Sequence, residues 1–435
     1  MKILLTPLAL LVLAMPMYSQ DVIRSKDPEL QADIERRVNA YNDLGILTFK
    51  SEDGNFIWNQ DLRLLVQTGG YFGSSQENQT RNGANIGEMR LAQNFVWSKD
   101  YITQVDLEFD TGNSFKMQDM YIGYIGWDKT MLRFGQNKTP FGFDNLISDR
   151  FISYMERPSM FGAFKPGRMV GGTLNKWGNM WQVEAGAYCE NANDADTNGV
   201  SDGNTFAARA SWAPYVDDTY VFHIGASAYQ REPKASNSTP GGPDDTMTFK
   251  TSDESSIDAG NRLKTPKITY VSFCRAYDLE LAWRLGSLYG AAEYSQMKVY
   301  RKNNMPQPVF NGGYVTMGYF LGGYKRVYQP TLGEWGRVIP THKWGEVEIA
   351  GRYSMTNLND PECAIDPTKA STAANLCVGG KINIVSLEVN WYQNYNSRMM
   401  FNISHVKTDQ YAVGDRNYRP NDSYNYAEMR WAVYF

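Results

Sequence analysis

Histidine is scarce in this chain, three residues in 435, and cysteine is nearly as scarce, with four. His223, His342 and His405 leave little imidazole for acid–base or metal chemistry. On a strand, same-face neighbours stand two residues apart. There His223 meets Val221 and Gly225, His342 meets Pro340 and Trp344, and His405 meets Ile403 and Lys407. No serine stands at that spacing, so an enzyme is not expected. Charge of one sign is lacking too: the net charge of -4 gives no reason to expect a nucleic-acid partner. No cofactor is required. Beyond the first twenty residues no apolar run approaches the roughly 20 residues of a helical membrane span. Any crossing of a membrane must be made by strands.

What is present begins with an export signal. In residues 1–20, Lys2 gives the positive end, residues 3–15 the apolar core, and cleavage is expected near Ser19 or Gln20. No cysteine follows the core, which argues against a lipoprotein anchor. In an exported chain an even cysteine count favours disulfides. Cys363 and Cys377 bracket a polar stretch and are the expected pair, while a pairing of Cys189 with Cys274 stays open. Residues 21–55 read as a short periplasmic helix and linker. Pro28 suits a first turn, Leu30, Ile34, Val38 and Tyr41 share a face, and Gly45 is a stop.

From Asp61 the period becomes two. Leu62, Leu64 and Val66 alternate with Asp61, Arg63 and Gln67. Met89, Leu91, Phe95 and Trp97 alternate with Glu88, Arg90 and Asn94. About sixteen such segments of ~10 residues follow, the length of a tilted transmembrane strand. Short turns near 98–100, 127–129, 177–179, 285–287 and 395–397 alternate with long polar loops, and 327–343 is long for a turn. That asymmetry predicts an all-β fold, a 16-stranded antiparallel transmembrane β-barrel over residues 56–435. The signal places the short turns in the periplasm and the barrel in the bacterial outer membrane, in contact with its lipid. The last strand, with Met429, Trp431, Val433 and Phe435 on one face, has the form that outer-membrane assembly machinery takes as a partner.

The third long loop, residues 136–167, is expected to fold into the lumen as a constriction. It carries five phenylalanines, too many for a solvated loop, and prolines at 140, 158 and 166. Its bases, Lys138, Arg150, Arg157, Lys165 and Arg168, are the candidate anion-binding groups, with Arg90 and Arg133 as partners on the wall. Asp144, Asp149 and Glu156 are placed to pair with them. Parity turns Arg63, Arg209, Arg284, Arg352 and Arg430 inward, but also Asp106, Glu108, Glu184, Glu280, Glu293, Glu348, Glu388 and Glu428. Selectivity then depends on clustering at the constriction. A separate stretch, Asp194, Asp196, Asn198 and Asp202, matches half of a calcium-binding loop, but Thr205 stands where a bidentate carboxylate is needed. Calcium in an outer loop is the one metal this predicts.

Residues 132–142 (LRFGQNKTPFG), 153–158 (SYMERP) and 344–354 (WGEVEIAGRYS) together resemble the phosphate-selective porin O and P family. The likeness extends over about residues 47–435. It implies a sixteen-stranded barrel, a homotrimer, and a third outer loop whose bases bind the anion. Arg150 falls where one such base is expected, and Asn145 where a lysine is. The expectation is a porin for passive diffusion of small hydrophilic solutes, anions such as phosphate among them. A general or oligosaccharide-admitting porin, with the loop's aromatic rings as stacking surfaces, is the alternative. A surface adhesin or structural barrel is the third reading.

Overall fold

Period-two alternation in the sequence becomes period-two alternation of burial in space. In the computed structural model, Thr205–Val216 and Ser397–Thr408 alternate buried and exposed residues almost without a break. The structure describes residues 48–434 except 76–79, 81, 110–114, 190, 194–202, 234–243, 367–374 and 416–417. The expected signal, the periplasmic helix and the calcium candidates Asp194, Asp196, Asn198 and Asp202 lie outside the described residues.

Sixteen strands form the barrel. They are β1 Phe56–Phe72, β2 Gly83–Trp97, β3 Tyr101–Phe109, β4 Phe115–Tyr124, β5 Thr130–Lys138, β6 Arg168–Trp177, β7 Trp181–Tyr188 and β8 Thr205–Val216. The second half is β9 Tyr220–Arg231, β10 Val271–Leu285, β11 Leu288–Arg301, β12 Val309–Leu321, β13 Glu346–Ala364, β14 Leu376–Asn394, β15 Ser397–Thr408 and β16 Ser423–Tyr434. Each pairs antiparallel with the next. β1 closes the ring on β16, in register from Arg63 opposite Tyr434 to Phe72 opposite Asn425. Closure leaves no free edge, which a lipid environment requires. The other end of β1 pairs with a short strand, Thr48–Lys50.

The outward face carries exposed Val66, Ile122, Phe134, Leu279, Met317, Val385, Leu387 and Ile403, an apolar belt for lipid. At the short-turn rim Trp97, Tyr101, Tyr124 and Trp127 touch in sequence, with ring centroids 4.6, 5.2 and 5.1 Å apart, part of an aromatic girdle. Tight turns there follow local chemistry. Ser98 and Lys99 both take positive φ in the three-residue turn that joins Trp97 to Tyr101.

Two connections differ from expectation. β13 runs on to Ala364 and β14 starts at Leu376, so strand pairing extends well into the polar stretch around the two cysteines. The Cys363–Cys377 disulfide clips it, while Cys189 and Cys274 are free thiols. The long turn after β12 is no slack loop. It holds a small ladder, Tyr328–Gln329 against Glu334–Trp335, whose aromatic residues are buried in the core.

Candidate functional site

The chain between β5 and β6 carries the site. Proline at 140 and Gly142, at φ 75°, stop the strand, and a four-residue helix, α1 Phe143–Leu146, follows. Pro158 precedes the second helix, α2 Ser159–Phe164. The aromatic load is the anchor: Phe141, Phe143, Phe161 and Phe164 are all at most 1% exposed. Phe141 meets Tyr229 at 4.9 Å, and Phe143 meets His223 at 4.9 Å and Trp335 at 6.1 Å. Each such ring contributes roughly 2–3 kcal/mol of burial.

Polar contacts fix its depth. The Glu293 carboxylate on β11 accepts the amides of Phe143 (2.6 Å) and Asp144 (2.8 Å) and the hydroxyl of Tyr314 (2.6 Å). Ser153 donates to Glu348 on β13 at 2.9 Å. Four guanidiniums donate to the segment's own carbonyls: Arg326 to Phe151, Arg398 to Ile152, Arg430 to Met155 and Arg352 to Glu156, at 2.6–3.0 Å. These arginines hold the segment.

Two further connections fill the same side of the lumen. From the long loop between β9 and β10, Glu254 accepts the Ser159 amide and Arg352, each at 2.5 Å, and Ser255, Ser256 and Ile257 gather on Glu428. From the turn after β12, the Leu332 and Gly333 carbonyls accept Arg209, and Tyr328 meets His223 at 2.6 Å. Glu348, Glu388 and Arg326 are thereby fully or almost fully buried.

The side facing β1–β7 is different. Its charged groups, some buried and some, such as Asp149 and Arg150, partly exposed, form a chain of pairs. Arg63 meets Glu88 at 2.8 Å; Arg90 meets Glu108 at 2.9 Å, Glu88 at 3.2 Å and Asp106 at 3.6 Å; Arg168 meets Asp119 at 2.8 Å. Arg133 pairs with Glu184, Arg150 with Asp61, and Arg157 with Asp149. The Asp149 carboxylate also lies 3.7 Å from Arg63 and 3.8 Å from Arg90. Burial works against its charge, but Arg157 and the other bases outweigh that and hold its pKa well below the usual range.

All seven expected bases therefore lie on this one side, and they divide by partner. Lys138 is turned away from solute: its ammonium takes the Asn145, Leu146 and Ile147 carbonyls at 3.0–3.2 Å and closes the C-terminal end of α1. Arg90, Arg133, Arg150, Arg157 and Arg168 are ion-paired. Lys165 alone among the seven is exposed, and its ammonium has no hydrogen bond or ion pair among the described residues. Enclosure by the surrounding protein, then the Arg157 charge, lowers its pKa to about 8, and water at the exposed ammonium limits that shift.

Of the loop acids, Asp149 pairs with Arg157 as expected, whereas Glu156 pairs with Arg430 of the wall, at 2.9 Å. Asp144 does not, and one of its carboxylate oxygens is buried without a partner. Asn145, standing where the resemblance implies a lysine, spends its side chain on the Phe141 carbonyl at 2.9 Å. Sequence reasoning passed over Asp61, Glu88 and Asp119 as acid partners. Their inward parity was the available signal.

His405 does meet a serine, from the adjacent strand: its ring lies 2.9 Å from Asn425 and 3.4 Å from the Ser423 hydroxyl. The Ser423 amide is donated to the Asp422 carboxylate at 2.8 Å.

Comparison with known proteins agrees with this architecture. The family described as phosphate-selective porin O and P matches residues 63–435. Porin O of Pseudomonas aeruginosa is 26% identical over 72% of this chain and 74% of its own length. An uncharacterized protein of Caulobacter vibrioides is 26% identical over 64% of this chain, but the match spans 56% of that relative. Among solved structures, OmpT of Vibrio cholerae aligns with a TM-score of 0.52 at 10% identity, covering 89% of this chain and 99% of that one. An anion-selective porin from Comamonas acidovorans aligns at 0.50 and 10% identity, covering 87% and 100%.

Proposed function

The chain belongs to the phosphate-selective porin O and P family of the bacterial outer membrane, and from that premise we propose that it lets small hydrophilic solutes diffuse passively, favouring anions such as phosphate at the constriction. Lys165 carries this reading. Arg150, Arg157 and Arg168 each meet a carboxylate, while Lys165 is exposed and its ammonium has no ion pair among the described residues. An exposed ammonium outside the ion pairs is the base that a passing anion can meet without displacing a carboxylate. Porin O, by its name, and the anion-selective porin of Comamonas acidovorans lend the reading support by kinship and by fold.

Four of the five rings that the oligosaccharide alternative would stack on sugar, Phe141, Phe143, Phe161 and Phe164, are packed against the barrel interior, and Phe151 is half-buried. The test is reversal potential in a KCl gradient for the wild type and for Lys165→Glu. Chloride preference that falls or inverts in the variant supports the reading. Equal potentials would remove Lys165 as its source.

We also propose a homotrimer. Gln60 and Gln93 stand opposite one another on the outward face of β1 and β2, with Trp58 donating to Gln93 at 2.6 Å. Paired amides there suit a protein neighbour better than lipid. A structure of the Vibrio cholerae OmpT, TM-score 0.52, is described as a trimer form. Mass measurement in mild detergent tests the assembly: a stable monomer would refute it.

A further inference from the structure

We infer that Asp149 is a tethered stand-in for the permeating anion: it occupies an oxyanion subsite formed by Arg63, Arg90 and Arg157 and keeps that subsite's affinity for free anions low. This rests on the anion reading of the constriction and deepens it.

Three guanidiniums approach the Asp149 carboxylate from three elements. Arg157 comes from the same segment, Arg63 from β1 at 3.7 Å and Arg90 from β2 at 3.8 Å. Convergence of several planar donors on one point is the arrangement that receives a tetrahedral oxyanion, with paired N–H groups offered to separate oxygens. Here the point is filled by a carboxylate borne on the constricting segment. Its side chain is 26% exposed, so the subsite opens on pore water.

The three arginines differ in what else they hold. Arg63 and Arg90 keep wall acids: Glu88 is shared between them, and Asp106 and Glu108 pair with Arg90. Arg157 otherwise donates to the Ile147 carbonyl of its own segment. A solute anion therefore gains most by displacing Asp149 from Arg157. Each passing oxyanion competes with a carboxylate at very high local concentration, because the competitor is covalently attached. Conduction needs a site favourable enough to enter and weak enough to leave, and a tethered competitor sets that balance without removing the arginines. The substrate class is a small oxyanion of phosphate type, which brings more oxygens to the three forks than a carboxylate does.

The experiment is chloride conductance across planar bilayers with added inorganic phosphate, in the full-length protein. Asp149→Asn keeps the side-chain shape and removes the competing charge. The half-blocking phosphate concentration should fall at least about tenfold, the factor that one charge-assisted contact is worth. Adding Arg157→Gln to that variant should abolish the gain. Asp149→Glu, which keeps the charge and the ion pair, should block as the wild type does and shows that the segment tolerates change at this position. A half-blocking concentration in Asp149→Asn equal to wild type would overturn the inference, as would a gain that survives Arg157→Gln. The anion reading itself is judged separately, by the chloride-over-potassium preference of the wild type before phosphate is added.

Discussion

Arg150 of the inserted segment reaches the carboxylate of Asp61 on β1, tying the segment to the wall opposite its phenylalanine anchor. The segment is thus held from both sides of the lumen. Arg150→Glu sets two carboxylates face to face and forfeits about 1–3 kcal/mol of tether. Anion preference should fall and open-channel noise should rise, both read in single-channel records. Asp61→Arg combined with Arg150→Glu should restore the quiet channel.

The lowered pKa of Lys165 makes selectivity depend on pH. Below about 8 its ammonium is charged; as pH rises through about 8 it becomes neutral and the unpaired positive charge is lost. Chloride preference should therefore decline between neutral and mildly alkaline pH. Lys165→Arg, whose charge persists, should flatten that decline.

Phe143 and Phe161 are the buried rings on which α1 and α2 rest. Replacing either with alanine leaves a cavity and costs about 3–5 kcal/mol of anchoring. The barrel should still assemble, since its ladder is untouched, but conductance should increase and protease should cut within residues 139–167. Equal conductance in both variants would show that polar contacts alone hold the constriction.

Glu293 holds the first turn of α1 through two amides. In Glu293→Gln one oxygen becomes a donor facing an N–H group. A loss of about 1.5–3 kcal/mol at that point follows. Hydrogen exchange at Phe143 and Asp144 should accelerate while exchange within β11 stays slow.

The Cys363–Cys377 bridge closes the outer end of the β13–β14 hairpin. Its removal by serine at both positions should expose residues 365–375 to protease. Loop closure of this size is worth about 3 kcal/mol. Conductance should not change, since the bridge lies far from the charge pairs of the constriction.

Much of this barrel was legible because lipid and lumen impose opposite demands on alternate residues. Parity alone turned Arg63, Arg90, Arg209, Arg352 and Arg430 inward, and all five are buried inside. The aromatic load of residues 136–167 marked the segment that leaves solvent. What parity does not carry is how deep that segment sits, and depth decides partners. Lys138 reads as a pore base by position, yet α1 places three carbonyls beneath its ammonium. Glu254 and the serines after it read as a solvated loop, since their composition is polar; their partners are inward groups on β13 and β16, distant in sequence. The turn after β12 was merely long. Its Tyr328 and Trp335 become core residues only because β9 and β11 present His223 and Tyr289 to them.

Ion selectivity of the wild-type channel tests the central claim most directly. In a KCl gradient across a planar bilayer, the sign of the reversal potential reports which ion the constriction favours. An anion-favouring potential that weakens in Lys165→Glu is the predicted result. A cation-favouring potential, insensitive to Lys165, would contradict the account.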